Sequence, residues 1–99
     1  MRVINTSLLA DFIAAYPDAE TPLDVWLQTA QKAEWKHLME IKATWSRSTD
    51  FIAGKTVFDI RGNKYRLITK INYKLKIVRI CYVLTHEEYN TDKWKLTEI

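Results

Sequence analysis

The chain predicts an α+β domain: a short N-terminal strand, two helices packed on a twisted antiparallel sheet, and a short C-terminal helical turn. Two observations carry this. Apolar residues recur at helical spacing in the first third of the chain and at strand spacing from Phe51 onward. The helical block also precedes the strands instead of alternating with them, which is the α+β arrangement. Ninety-nine residues make one domain, 1–99.

Val3 and Ile4 suggest the first strand, and Asn5, Thr6 and Ser7 then offer N-cap side chains. Leu8, Leu9, Phe12, Ile13 and Tyr16 form one helical stripe that Pro17 should end, because proline lacks an N–H and clashes with a preceding carbonyl. A second helix is expected to open at Thr21-Pro22-Leu23-Asp24, with Thr21 as cap, Pro22 first in the helix and Asp24 near the positive end of the dipole. Leu23, Trp26, Leu27 and Ala30 would be its buried face. Residues 37–43 allow a helical turn or two, and 46–50 read as loop. Thr56–Ile60 reads as a strand and Arg61-Gly62-Asn63-Lys64 as a turn, with Gly and Asn suited to positive φ. Tyr65–Tyr73 alternates, with Arg66, Ile68, Lys70 and Asn72 on the face opposite Tyr65, Leu67, Thr69, Ile71 and Tyr73. Leu75–Leu84 is apolar on both faces and is expected mid-sheet.

Charge is unevenly distributed. Between Gly54 and Tyr82 stand eight cations (Lys55, Arg61, Lys64, Arg66, Lys70, Lys74, Lys76, Arg79) and one anion, Asp59, a net +7; the remainder carries −4, so the overall +3 hides a polarised molecule. Such a basic sheet suits a polyanion such as nucleic acid. The competing reading is that charged strand residues face water and block edge pairing, which fits Lys74 and Lys76 at a hairpin tip. Arg66 and Arg79 lie mid-strand, where either reading holds.

His86 follows the most apolar strand and Tyr89 comes three residues later. Imidazole exchanges protons near neutral pH, and a phenol in a positive field ionises more readily. The plainer alternative has His86 capping a helical turn and Tyr89 packing on the sheet. His37 reads as structural. One Cys and two His in no ligand pattern suggest no zinc site, and the basic segment offers no carboxylate cluster for metal-dependent cleavage. RNA cleavage here would therefore use ribose 2′-hydroxyl attack, with proton-transfer groups and Arg or Lys neutralising the phosphorane. No Walker loop, nucleophile elbow or dinucleotide fingerprint is present, so no cofactor is expected. Of the four tryptophans Trp26 reads as core, while base stacking stays open for Trp35, Trp45 and Trp94. With one cysteine, no apolar run near ~18 residues and no apolar leader, the expected place is the cytoplasm, away from membranes.

The chain resembles the HigB family of toxins within the RelE-like superfamily. The matching pieces run in order: Met1-Arg2-Val3-Ile4, Phe12, Tyr16-Pro17-Asp18-Ala19-Glu20, Leu23-Asp24-Val25-Trp26, Ala33-Glu34-Trp35-Lys36, the strand motif Val57 to Leu67, Ile71-Asn72-Tyr73, and Thr85-His86-Glu87-Glu88-Tyr89-Asn90. The resemblance implies a RelE-like fold and an mRNA interferase that cuts messenger RNA on the ribosome without metal. The implied products are a 2′,3′-cyclic phosphate and a 5′-hydroxyl, and the implied partner is a HigA-type helix-turn-helix antitoxin. It further implies that Arg66 holds the scissile phosphate, His86 transfers protons and Tyr89 orients substrate or assists. Lys64, and Lys55 with it, would contact the RNA backbone; Arg61 and Arg79 join them as basic-sheet candidates. Asn90 departs from the Asp common after the family's Tyr. Two other functions fit the same scaffold: a non-catalytic toxin inhibiting DNA gyrase, and a plain nucleic-acid-binding module. The antitoxin is expected to cover or adjoin the basic surface.

Overall fold

A computed structural model describes residues 1–96. In chain order it contains β1 (Arg2–Ile4), α1 (Ser7–Ala15), a 3₁₀ turn (Pro17–Ala19), α2 (Glu20–Lys32) and α3 (Leu38–Thr44). Then follow β2 (Asp50–Ile52), β3 (Lys55–Ile60), β4 (Tyr65–Asn72), β5 (Ile77–Thr85), α4 (His86–Asn90) and a second 3₁₀ turn (Lys93–Leu96). The strands form one sheet in the order β1-β5-β4-β3-β2. The α+β class and the terminal elements are as the sequence predicts.

The sheet is mixed. Neighbours from β2 to β5 pair antiparallel through tight turns, while β1 runs parallel to β5. Nothing short connects β1 to β5, so no hairpin forces them antiparallel. β5 is interior, as its two apolar faces require. β2 begins at Asp50, the last residue of the expected loop. It forms a two-residue hairpin with β3 in which Ala53 (φ 54°) and Gly54 (φ 79°) both take positive φ. In the Arg61–Lys64 turn the positive φ falls on Arg61 (53°) and Gly62 (67°), not on Asn63.

α1 ends before Pro17 as expected, but α2 starts at Glu20 and Thr21 makes no capping bond. The 3₁₀ turn feeds directly into α2, and the Glu20 N–H donates to the Pro17 carbonyl. A first-turn donor that an N-cap side chain would otherwise satisfy is thereby engaged.

The inner face of the sheet packs on the helices. Leu9, Leu23, Trp26 and Ala30 meet Phe58, Ile60, Leu67, Val78 and Ile80, with the Trp26 ring edge-on to Phe58 at 5.3 Å. A smaller cluster on the outer face joins Val57, Ile68, Cys81 and Trp94, with Tyr82, Leu84 and Tyr89 against it. Between Ile68 and Thr69 the β4–β5 register slips: Ile68 faces Tyr82 and Thr69 faces Ile80, so Cys81 is a bulged extra residue. Strand alternation then puts Lys55, Asp59, Arg66, Lys70 and Arg79 on the outer face, away from α1 and α2.

Candidate nucleic-acid interface

The outer face carries the first group of candidates. Arg66 pairs with Asp59 across the β3–β4 ladder, Nε to Oδ1 3.2 Å, with both side chains mostly buried (13 and 18 % exposed). The Ser48 hydroxyl donates to the same carboxylate. The Tyr89 ring lies over the guanidinium, 5.0 Å from its centroid to Cζ, and stacks in turn on Trp94 at 5.2 Å. The Trp94 indole N–H donates to the Tyr89 carbonyl at 3.0 Å, which fixes the stack. Arg66 Nη1 is buried without a hydrogen-bond partner among the described residues. A buried unspent donor costs about 1–3 kcal/mol, so it marks a place where a ligand would be stabilising.

A second group sits farther along the same face. Lys70 stands directly opposite Arg79, and Lys55 occupies the neighbouring strand beside them. Burial pushes the Cys81 thiol up, while the charges of Arg79, Lys55 and Lys70 pull the other way, which places all three around it. Lys70 and Arg79 form no ion pair among the described residues. Like charges directly opposed across strands are destabilising, and an anion lying over them relieves that cost.

The third group surrounds the β3–β4 turn. Asp18, just after Pro17, accepts from Lys64 Nζ at 2.7 Å, Tyr65 Oη at 2.6 Å and Arg61 Nη1 at 2.5 Å. The hydrogen bonds from Lys64 and Tyr65 hold the Asp18 carboxyl below the usual range, and Asp18 in turn raises both Lys64 and Tyr65. His86 is the first residue of α4 and is exposed; its backbone N–H donates to the Lys64 carbonyl at 3.0 Å. A capping box, Thr85 with Glu88, fixes the start of that helix. His86 lines a cleft of about 400 Å³ with Tyr16, Lys64, Tyr65, Thr85 and Glu87.

Arg66 and Tyr89 are therefore in contact, Lys55 and Arg79 share their face, and Arg61, Lys64 and His86 gather at the turn. No hydrogen bond or ion pair joins His86 to Arg66 or Tyr89 among the described residues. Among those residues, no three His, Cys, Asp or Glu side chains converge as metal ligands. No helix among them is long and apolar enough to cross a membrane. Trp35 and Trp94 are buried, and Trp45 donates its indole N–H to the Asp59 carbonyl at 3.1 Å.

A sequence model of the HigB toxin family, described as the RelE-like toxic component of a toxin–antitoxin system, matches residues 19–92. The chain belongs to the HigB toxin family. Similar curated proteins include "mRNA interferase toxin HigB" of Escherichia coli K12 and "mRNA interferase HigB" of Escherichia coli O157:H7 and of Shigella flexneri. Each is 27 % identical over 92 residues, covering 91 % of this chain and 88 % of the relative. Membership in the family implies an antitoxin partner.

Sequence reasoning missed the acids that organise this HigB-family surface. Asp59 was visible as the lone anion of the basic segment, and its opposition to Arg66 follows from the 61–64 turn once the hairpin is assumed. Asp18 gave no signal, because 46 residues separate it from Lys64. Trp94 was recognisable as aromatic, but its seat beneath Tyr89 was not.

Proposed function

We propose that this chain is a ribosome-dependent endoribonuclease that cuts messenger RNA without a metal ion. The observation that carries the reading is the outer face itself: Arg66, Lys70 and Arg79 share it, with the Tyr89 phenol on Arg66 and the buried Lys55 (3 % exposed) adding its charge from within. Family membership and the interferase names of the relatives support it.

In this mechanism the ribose 2′-oxygen attacks the adjacent phosphorus and the bond to the 5′-oxygen breaks. The products are a 2′,3′-cyclic phosphate and a 5′-hydroxyl. One proton leaves the 2′-hydroxyl and one reaches the departing 5′-oxygen. Arg66 neutralises the phosphorane with the charge of its guanidinium. Asp59 and the Tyr89 ring hold the guanidinium plane from the side and the face. His86, exposed at the edge of the face, serves in proton transfer, and Tyr89 orients the substrate. Arg79 holds the RNA backbone on the face, the half-exposed Arg61 and Lys64 meet it at the rim, and the buried Lys55 adds to the positive field beneath it. His86 and Tyr89 lie one turn apart on α4, which sets both at the end of β5 beside the outer face. A HigA-type helix-turn-helix antitoxin would neutralise the chain by covering this basic face.

Cleavage of a defined messenger on translating ribosomes tests the proposal. Arg66→Ala is expected to lower the rate by about 10²–10³-fold and His86→Ala by about 10²–10⁴-fold, with cyclic phosphate ends on wild-type products. Wild-type rates in both variants would remove these two residues from the mechanism. Inhibition of DNA supercoiling without RNA cleavage would replace the ribonuclease reading with the gyrase one.

A further inference from the structure

We propose that the cleft beside His86 is a nucleobase subsite in which the Tyr16 ring stacks on a base flanking the scissile phosphate. This rests on the ribonuclease reading above. Tyr16 is 38 % exposed, although one face of its ring stacks on Phe12 at 4.6 Å and its edge leans on Tyr65 at 5.6 Å. Phe12, Tyr16 and Tyr65 thus form a braced aromatic wall, and the uncovered part of Tyr16 lines the cleft. A ring held on one side and open on the other is what base stacking needs, because little rotamer freedom is lost on binding.

The charge around the cleft argues for a base there and not for a phosphate. Of its two basic side chains, Lys64 is hydrogen-bonded to Asp18 and His86 stands beside Glu87, which adds a carboxylate to the lining. A phosphate would meet the Glu87 carboxylate and compete with Asp18 for the lysine. A base offers them neutral N–H edges and presents its flat face to Tyr16. The outer face has the opposite character, with Lys70 and Arg79, which form no ion pair among the described residues, suited to the backbone. The strand of RNA would then run over the outer face with its sugar–phosphate chain and turn one base into the cleft at the end of β4. Single-stranded RNA is commonly read in this way, through splayed bases on aromatic rings.

The test compares Tyr16→Leu and Tyr16→Phe with wild type, using ribosomes programmed with a defined messenger. Leu keeps the apolar contact with Phe12 but removes the π-face. It is expected to raise KM by about 5- to 150-fold, the range of one aromatic–base stack, with kcat little changed. Phe keeps the π-face and is expected to match wild type. In addition, 2-aminopurine placed successively at the positions around the cut should be quenched at one of them by wild type and by Tyr16→Phe, and not by Tyr16→Leu. This second readout on wild type stands even if the Leu variant folds poorly. A Leu variant with wild-type KM, a Phe variant as impaired as Leu, or quenching at no position overturns the subsite while leaving the nuclease reading intact. Absence of cleavage by wild type overturns both.

Discussion

Asp59 and Asp18 each bind cations of the basic segment, but in different surroundings. Asp59 meets Arg66 between neighbouring strands, where both side chains are largely withdrawn from water. Asp18 meets Arg61 and Lys64 at the rim, where those cations are about half exposed (49 and 52 %). Withdrawn pairs interact strongly and are costly to break, whereas exposed pairs are screened by salt and solvent. The first carboxylate therefore fixes the geometry of one guanidinium. The second gathers two half-exposed cations at the rim without withdrawing them from water, as the proposed contact with an RNA strand would require.

The largest expected effect comes from removing the floor of the withdrawn group. Trp94 is 3 % exposed, packs on Val57, Ile68 and Cys81, and carries Tyr89, which carries Arg66. Trp94→Ala should lower unfolding free energy by about 3–5 kcal/mol in urea titration. It should also slow messenger cleavage by freeing Tyr89. A variant as stable as wild type would mean that the stack does not depend on this indole, and the contrast between the two groups would lose its structural basis.

A smaller effect is expected at the carboxylate itself. Asp59→Ala leaves a mostly buried guanidinium without its ion pair and removes the carboxylate to which Ser48 donates. The expected loss is about 1.5–3 kcal/mol, measured by the same titration. Arg66→Ala combined with Asp59→Ala should cost less than the sum of the two single changes, since removing both partners leaves neither charge stranded. Strict additivity would show that the pair is not coupled and is no more special than the rim cluster.

The two groups also differ in how much of them the sequence discloses. Alternation along Tyr65–Tyr73 was enough to put Arg66 and Lys70 on one face, because strand period is local. The turn at Arg61–Lys64 was legible from Gly62, and with it the opposition of Asp59 and Arg66. Pro17 marked the end of α1 for an equally local reason. What escaped was non-local or very short. β2 has three residues, too few for a period, and β1 finds its parallel partner β5 only through the tertiary fold. Trp94 reaches Tyr89 across an irregular turn, and Asp18 reaches Lys64 across the junction of α1 and α2 with the sheet. No spacing rule covers these contacts. Mid-strand charge singled out Arg66, the end of the apolar strand singled out His86 and Tyr89, and family resemblance gave the three their roles, but none of this gave a sign that His86 would line a cleft that the other two do not.

The smallest effect, and the sharpest test of the rim group, is its pH dependence. Asp18 has a folded-state pKa held below its ordinary value of about 3.9, chiefly by the hydrogen bonds from Lys64 and Tyr65. A depressed carboxyl contributes stability that is present above the unfolded value and lost as pH falls through the folded one. Lys64 and Tyr65 have raised values, each chiefly through its hydrogen bond with Asp18. Their contributions are complete below the unfolded pKa values and are lost as pH rises through the folded ones, above about pH 10. The cluster should therefore stabilise the fold across the middle of the pH range and fade at both ends. Asp18→Asn removes the anion on which all three shifts depend. Melting temperatures of wild type and variant should differ most between about pH 5 and 9 and converge below about pH 4 and above about pH 11. Added salt should shrink the mid-range difference, because these charges are exposed. A difference that persists unchanged at pH 3, or in high salt, would mean that Asp18 acts through packing of the α1–α2 junction and not through its charge. The rim group would then resemble the Asp59 pair after all.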